Sequence, residues 1–205
     1  VYCAGFCQAV VATTVSALYS NDCLEGGCGC AKALLKEVKS LEEARSLSAA
    51  IATACESFSD TVDASCISGA VGASVIALAR YPQVTELRAI VLALANFSAR
   101  LACAGSRWGA IALLHVAERS GAHGSAAFPA VETAYAAGQH INHAAERTRL
   151  RLGQELSSTM LLRAYCLLAP DAAIPSIIET VAGRCADCPS DADNWIELCG
   201  ALSLL

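Results

Sequence analysis

Similar alanine-rich segments recur along the chain at a constant spacing, and this recurrence limits the folds that are open to it. Three of them are VVATTVSALYS, AAIATACESFS and IVLALANFS, and their endings Tyr19-Ser20, Phe58-Ser59 and Phe97-Ser98 are offset by 39 residues. Related endings follow as MLLRAYCLLA and IELCGALSLL. A period near 40 with two or three helices per unit is typical of a helical solenoid, in which each unit packs on its neighbours.

The apolar content of the chain favours helices over strands. Of the 205 residues, 55% are hydrophobic but only 5% are aromatic, so alanine, leucine and valine supply most of the apolar surface. Alanine and leucine have the highest helix propensities, and five prolines are too few to interrupt many helices. We therefore predict an all-α fold.

The segment from Val84 to Arg100 is the clearest single element. Its apolar side chains recur at spacings of three and four residues, which predicts an amphipathic helix. They are Leu87, Ile90, Val91, Leu94 and Phe97. Pro82 precedes the helix, and Thr85 is predicted to cap its N-terminus.

Glycine, serine and proline mark the neighbouring boundaries. Residues 21–29, NDCLEGGCG, are predicted to form a loop, and the GAVG of residues 69–72 is predicted to introduce a helix over 73–80. Ser40 is predicted to cap a helix that starts at Leu41. Pro129 is predicted to lie in the first turn of a helix, where proline is tolerated.

The net charge of the chain and the length of its apolar runs each argue against one class of protein. A net charge of -5 and a pI near 5.3 do not suit a protein that grips a phosphate backbone, which needs a basic face. Arg149 and Arg151 form the densest basic spot, and it is small. No run of eighteen or so uncharged apolar residues is present in the sequence, so we predict no membrane span.

Twelve cysteines leave two interpretations open. In a reducing compartment they act as small apolar core residues, which suits Cys55, Cys103, Cys166 and Cys199 at positions where a helix would carry alanine. In a secreted protein they form disulfides, which suits the N-terminal cluster better. That cluster comprises Cys3, Cys7, Cys23, Cys28 and Cys30.

The sequence contains few patterns that are typical of a catalytic or metal-binding site. Cys185 and Cys188 form a CxxC, which supplies half of a zinc site, and the sequence holds no second CxxC. His140, His143 and Glu146 share a helix face, but such histidines are more often solvated than metal-bound. No nucleophile elbow, P-loop or paired-carboxylate motif is present in the sequence. We predict a non-enzyme without metal or cofactor.

Two further sets of residues are predicted to be structural. His115 lies on an apolar helix and is predicted to be a hydrogen-bonded core residue. An acidic face in the C-terminal third is predicted to be solvated or, if functional, to meet a basic partner. Its members are Asp171, Glu179, Asp187, Asp191 and Asp193.

The segment GAVGASVIALARYPQVTELRAIVLALANFSA, residues 69–99, resembles an armadillo repeat. GAVGASVIALARY is similar to the family's second helix and VTELRAIVLALANFS to its third; DADNWIELCGALSLL is similar to a third-helix start. HEAT-type repeats would give much of the same pattern. The resemblance implies a right-handed superhelical α-solenoid of about four to five armadillo-like repeats. These would form one domain over residues 1–205, alone or as a segment of a longer array.

The resemblance also implies a binding surface. In the family, third helices line a concave groove that holds extended protein segments, and an asparagine there holds the peptide backbone. Asn96 matches that position, whereas the corresponding positions of other units carry Leu18, Ser57, Leu167 and Leu204. The asparagine ladder is thus incomplete, which makes a packing role inside an assembly a second expectation.

Two tryptophans and an arginine complete the predicted binding set. Trp108 and Trp195 start helices in corresponding parts of two units, and tryptophan often anchors protein interfaces. We place Arg100 in the binding surface with them and with Asn96.

The sequence therefore predicts a non-enzymatic scaffold, or a structural subunit of a larger complex, whose partners are protein subunits or peptide segments in the cytoplasm. The chain begins at Val1 and ends on Leu204-Leu205 within an apolar pattern, so further repeats or a partner are expected to cover its ends. The alternative is a secreted or luminal helical protein that disulfides hold together and that binds an apolar ligand between its helices.

Overall fold

Helices form most of the part of the chain that the computed structural model describes, which is residues 2–20, 23–56, 64–145, 151–187 and 199–204. Side chains are described over 9–20, 23–56, 64–138, 159–183, 186 and 199–204. The α-helices are α1 Tyr2–Leu18, α2 Leu24–Glu37, α3 Leu41–Glu56, α4 Ala64–Leu78, α5 Leu87–Cys103, α6 Arg107–Arg119, α7 Phe128–Ala145, α8 Arg151–Leu168 and α9 Ile174–Asp187, and residues 199–202 are also α-helical. The described residues contain no strand, and the prediction of an all-α fold is confirmed.

Shorter helical segments join these elements. A 3₁₀ helix over Gly121–Ala127 connects α6 to α7, and another over Asp171–Ala173 leads into α9. Glycine and serine residues such as those at 121–125 are typical of a loop, but this connection is helical. Its His123 is buried, with Nε2 3.1 Å from the carbonyl oxygen of Tyr81. This contact ties the connection to the turn that follows α4.

Helix starts follow the predicted chemistry at two of three sites. The backbone N–H of Glu43 donates to Ser40 Oγ at 3.3 Å, so Ser40 caps α3 as predicted. Pro129 is the second residue of α7, also as predicted. The cap at Thr85 is wrong: α5 begins at Leu87, and the N-cap position falls on Glu86, whose side chain forms no capping hydrogen bond.

Two glycine-containing segments are helical, contrary to the sequence prediction. α2 starts at Leu24 and runs through GGCG, and α4 runs through Gly69 and Gly72. A glycine inside a helix costs about 1 kcal/mol relative to alanine, whereas burying a leucine or valine contributes about 1.5–3 kcal/mol. Leu24 and Val71 are buried, so tertiary packing decides these helices against local propensity.

The turn between α5 and α6 requires glycine. Gly105 has φ 84°, and its N–H donates to the carbonyl of Ala102 while the N–H of Ser106 donates to that of Leu101, both at 2.9 Å. This pair of bonds is a Schellman motif, which needs a left-handed residue after the helix. Four residues later, Gly109 of α6 lies against the backbone at the end of α5.

The helices form two rows. Helices α1, α3, α5 and α7 contact each other in that order, and so do α2, α4, α6 and α8. Each odd-numbered helix also packs on the even-numbered helix that follows it, from α1 on α2 to α7 on α8. We call these the odd row and the even row. Every helix inside a row therefore has neighbours two positions before and after it in sequence.

One apolar core runs between the rows and a smaller cluster follows it. The main core extends from Leu18 to Ala164 and consists largely of alanine, leucine and valine. The smaller cluster joins the end of α8 to α9 and to residues 199–202, through residues such as Cys166, Ile177 and Ala201. Alanine permits close approach of the helices, which is why so few aromatic residues suffice to fill the core.

Arginines link helices that lie side by side in a row. Arg80, just after α4, donates from Nη1 to the carbonyl oxygen of Val38 at the end of α2, at 2.9 Å across 42 residues of sequence. In the odd row, Arg100 Nη2 of α5 donates to the carbonyl oxygen of Cys55 in α3, at 3.3 Å across 45 residues. These bonds satisfy carbonyls that a helix end leaves without an intrahelical partner.

Within the described ranges, no helix combines the length and the apolar character that crossing a lipid bilayer requires.

Candidate functional site

A groove crosses the even row over the outward face of α4. Its floor is formed by four residues of α4 at spacings of three and four, which places them on one side of the helix. They are Gly69, Gly72, Ala73 and Ile76. Three of the four have little or no side chain, so the surface of α4 is recessed between α2 and α6. The resulting cavity has a volume of about 210 Å³.

Basic side chains form both walls of the groove. Lys32 and Lys36 lie one turn apart on α2, and His115 and Arg119 lie one turn apart on α6. Lys32, Lys36 and Arg119 are exposed, and His115 is half-buried. α4 itself carries no charged residue, so the walls determine the charge of the groove.

The glycines of the floor allow these walls to approach. A Cβ atom added at Gly69 would lie 3.1 Å from Lys32 Nζ, and one added at Gly72 would lie 3.2 Å from His115 Cδ2. The lysine ammonium and the imidazole therefore lie against the backbone of α4. A larger residue at either position would displace them. This explains why glycine occupies both positions within the helix.

His115 carries a buried polar atom without a hydrogen-bond partner. Its Nδ1 is shielded from solvent and makes no hydrogen bond within the described part of the chain. Burial lowers the pKa of His115 below its ordinary value of 6.5, and the charge of Arg119 lowers it further, against an opposing effect of Glu118. The prediction that His115 is a hydrogen-bonded core residue is wrong, because the ring lies half-buried at the groove.

Negative charge is missing from the lining of the groove. None of the described residues that line it carries a carboxylate. Glu118, the neighbour of Arg119, forms an ion pair with Arg163 of α8 at 3.4 Å. The groove is thus a local basic site on a chain whose net charge is -5.

A second hollow lies beside α1 and has a different character. Its volume is about 510 Å³, and its lining is small and uncharged: Ala12, Thr13, Ser16, Ala17, Ser20 and Cys23. It offers a ligand no charged group. The basic groove is therefore the stronger candidate for a site with chemical selectivity.

No protein-family model, curated protein or solved structure matches this chain.

The residues predicted for binding lie away from the groove. Asn96 is exposed on α5, in the odd row. Arg100, one turn further on, is held by its hydrogen bond to Cys55 and lies 5.7 Å from the ring centroid of Phe97, so it stabilises the fold. Trp108 is half-buried at the start of α6, with the guanidinium of Arg107 5.0 Å from its ring centroid. Trp195 lies outside the described residues.

The described cysteines are free thiols that differ in burial. Cys28, Cys55 and Cys166 are buried in the apolar clusters, which supports the interpretation of core residues. Burial raises the pKa of Cys28 to about 12 and that of Cys166 to about 11, and it also raises the pKa of Cys55. In contrast, Cys23, Cys30 and Cys199 are exposed, so the prediction of a core role for Cys199 is wrong. Cys103 is partly buried.

The other candidate sites lie partly outside the residues that the structure describes. The backbone of His140 and His143 lies in α7, but their side chains are not described, nor are those of Glu146, Arg149 and Arg151 or the CxxC at Cys185 and Cys188. Among the described side chains, no group of three or more His, Cys, Asp or Glu residues is placed to hold a metal ion.

The acidic face of the C-terminal third is only partly described. Asp171 and Glu179 are exposed, as expected for a solvated surface. The side chains of Asp187, Asp191 and Asp193 lie outside the described set.

Sequence reasoning missed the groove. The signal was present in part, because Lys32 and Lys36 are four residues apart, as are His115 and Arg119. The small residues of α4 recur on one helix side as well. Local spacing alone does not reveal that α2, α4 and α6 lie side by side.

Proposed function

We propose that this chain is a non-enzymatic α-solenoid that acts as a protein-interaction scaffold or as a structural subunit of a larger complex. The observation that carries the proposal is the row arrangement, in which each helix contacts the helices two positions away. That pattern is expected where units stack along one direction and each buries the apolar side of the next.

Four helical pairs supply the proposed units. They are α1–α2, α3–α4, α5–α6 and α7–α8, and α9 with residues 199–202 would begin a fifth. The separations of 42 and 45 residues across the Arg80 and Arg100 hydrogen bonds fit one unit of about 40–47 residues, the length of armadillo and HEAT repeats. We propose a right-handed superhelix, as the armadillo resemblance implies.

The proposed binding role depends on the outer surfaces that remain exposed when the units stack. Solenoids bury a continuous core between rows and leave the outer side of each row for partners. In this chain the outer side of the even row holds the basic groove, and the odd row holds exposed Asn96. Buried free thiols at Cys28 and Cys55 favour a reducing compartment, so we propose the cytoplasm over a secreted location.

A mass measurement on the full chain tests the proposal. The tagged chain is purified from its native source, and its mass in solution is determined by size-exclusion chromatography with light scattering. We expect a mass above the 21.1 kDa of the chain, with a second protein in fixed stoichiometry that rebinds when both are purified separately. A monomer that never retains another protein would contradict the scaffold role.

Small-angle X-ray scattering tests the architecture separately from the partner. A compact globule of this length has a radius of gyration of about 17 Å. We expect a larger value and an elongated distance distribution for the isolated chain. A radius of gyration equal to that of a compact globule would contradict the stacked arrangement. The mass measurement would still test whether the chain binds a partner.

A further inference from the structure

We propose that the groove over α4 binds an extended acidic segment of a partner protein, with carboxylate side chains between Lys36 and Arg119 and an apolar side chain against Ile76. This inference rests on the proposed scaffold function and names the chemistry of its partner. It places binding on the even row, whereas the armadillo resemblance places it on the row that contains Asn96.

Charge complementarity selects an acidic occupant. Three exposed cations, Lys32, Lys36 and Arg119, line the groove on two sides, and none of them forms an ion pair with a described carboxylate. Cations held on both sides of a low-dielectric cleft concentrate positive potential within it. Because the whole chain is acidic, this potential is a property of the groove and not of the surface in general.

The shape of the groove selects a peptide over a larger or rounder ligand. Its volume of about 210 Å³ is below the range of about 300–1,000 Å³ that is usual for small-molecule pockets. A space of this size suits one or two side chains of an extended segment that crosses α4. Ile76, which is 37% exposed, supplies apolar surface for a side chain next to the carboxylates.

Nucleic acid is the competing anionic occupant, and the groove suits it poorly. A protein that binds nucleic acid through its phosphates neutralises several of them with lysine or arginine, which requires an extended basic surface. Here three exposed cations border a short groove with apolar residues on its floor.

Peptide selection on the full-length chain tests the inference. Peptides are selected from a random library displayed on phage, and their affinities for the chain are then measured by fluorescence anisotropy. The groove variants are Lys36→Glu, Arg119→Glu and Ile76→Glu. The matched controls are Arg45→Glu, which reverses an exposed charge on α3, and Leu92→Glu, since Leu92 and Ile76 are both 37% exposed but lie in opposite rows.

We expect the selected peptides to contain clustered Asp or Glu next to an apolar residue. Their affinity should fall by about ten-fold or more in each groove variant and change by less than about two-fold in the controls. Affinity should also fall as salt rises, because the pairs at the groove are exposed to solvent. Circular dichroism and thermal melting of every variant establish that the fold is retained.

Three outcomes would overturn the inference. They are the recovery of no peptide or of peptides without acidic residues, equal binding to groove variants and controls, and tighter binding of a short single-stranded oligonucleotide with the same sensitivity to the variants. The proposed function has its own readout. If the co-purified partner still rebinds Lys36→Glu and Arg119→Glu with unchanged affinity, the scaffold role stands and the groove assignment fails.

Discussion

Arg80 Nη1 donates a hydrogen bond to the carbonyl oxygen of Val38 at 2.9 Å, and Nη2 lies 3.5 Å from the carbonyl oxygen of Lys36. Val38 is the C-cap residue of α2, where backbone carbonyls lack intrahelical partners. One side chain from the turn after α4 thus completes the end of the neighbouring helix in the even row. The positive guanidinium also complements the negative end of the α2 dipole.

We expect Arg80→Ala to lower the free energy of unfolding by about 1–2 kcal/mol, because it removes a charged donor from a helix end. Arg45→Ala serves as the control, since Arg45 is an exposed arginine on α3. Its effect should stay within about 0.5 kcal/mol. Urea denaturation followed by circular dichroism measures both. Equal effects of the two substitutions would show that the Arg80 bond contributes nothing to stability.

Gly109→Ala should destabilise the chain by about 2–3 kcal/mol, because the added Cβ would lie 2.7 Å from the backbone carbon of Leu101 and force α5 and α6 apart. Gly29→Ala provides the comparison within α2, since nothing lies within 4 Å of a Cβ at Gly29. There we expect a gain of about 0.5–1 kcal/mol from the lower cost of ordering alanine in a helix. Thermal melting of the two variants should move in opposite directions. A shift of the same sign and size in both would contradict the close approach of α5 and α6.

Thiol alkylation should separate the cysteines by burial. At pH 8 in the native state, we expect maleimide to label Cys23, Cys30 and Cys199 and to leave Cys28, Cys55 and Cys166 unlabelled. Burial raises the pKa of the last three, so the reactive thiolate is scarce there as well as inaccessible. Peptide mass spectrometry reads each site. Protection of Cys23 and Cys30 even after denaturation without reductant would instead support the disulfide alternative.

The same thiols predict a loss of stability at alkaline pH. The pKa of Cys28 is raised from its ordinary value of 9.0 to about 12, so the folded state holds this proton more tightly than the unfolded state. The contribution to stability is therefore complete below about pH 9 and is lost as the pH rises towards 12. Cys28→Ala should flatten this part of a pH–stability profile measured by urea denaturation. An unchanged slope in the variant would contradict the burial of Cys28.

His115 predicts a separate loss of stability on the acid side. Its pKa lies below the ordinary value of 6.5 because of burial and of Arg119, so the unfolded state binds this proton more readily. Its contribution is present above about pH 6.5 and is lost as the pH falls through the lowered pKa. We expect His115→Gln to be less sensitive than the parent chain between pH 7 and 5. Parallel profiles for the two proteins would contradict this assignment.

The sequence predicted the presence of helices better than it predicted which positions of each helix are buried. The 39-residue recurrence of aromatic-serine pairs suggested equivalent positions, but Tyr19 follows the last residue of α1 and is 59% exposed. Phe97 instead lies inside α5 and is 4% exposed. An alanine-rich helix can bury more than one of its sides. Similar segments can therefore place equivalent residues at different depths in the core. The boundaries at the glycines of α2 and α4 were missed because packing outweighed local propensity.

The binding residues inferred from the sequence and the groove seen in the structure lie in different places. Asn96 and Arg100 were identified from one helix and its resemblance to a repeat family. Arg100 proved to cap α3, a role that depends on a contact 45 residues away. A single helix pattern contains no information about such a contact, because it arises from the packing of α5 against α3.

The amino-acid sequence alone determined that the described part of this protein is mainly helical, since alanine and leucine favour helices and little else in the composition competes. It also predicted stacked helical units from the recurrence of similar apolar segments, and this stays a prediction. Only the tertiary structure decided which side chains meet. Lys36 and Arg119 face one groove because α2 and α6 flank an α4 whose outward side is mostly glycine and alanine. The reason is that helix periodicity specifies which residues share a face, whereas the choice of neighbouring face depends on packing across the whole molecule.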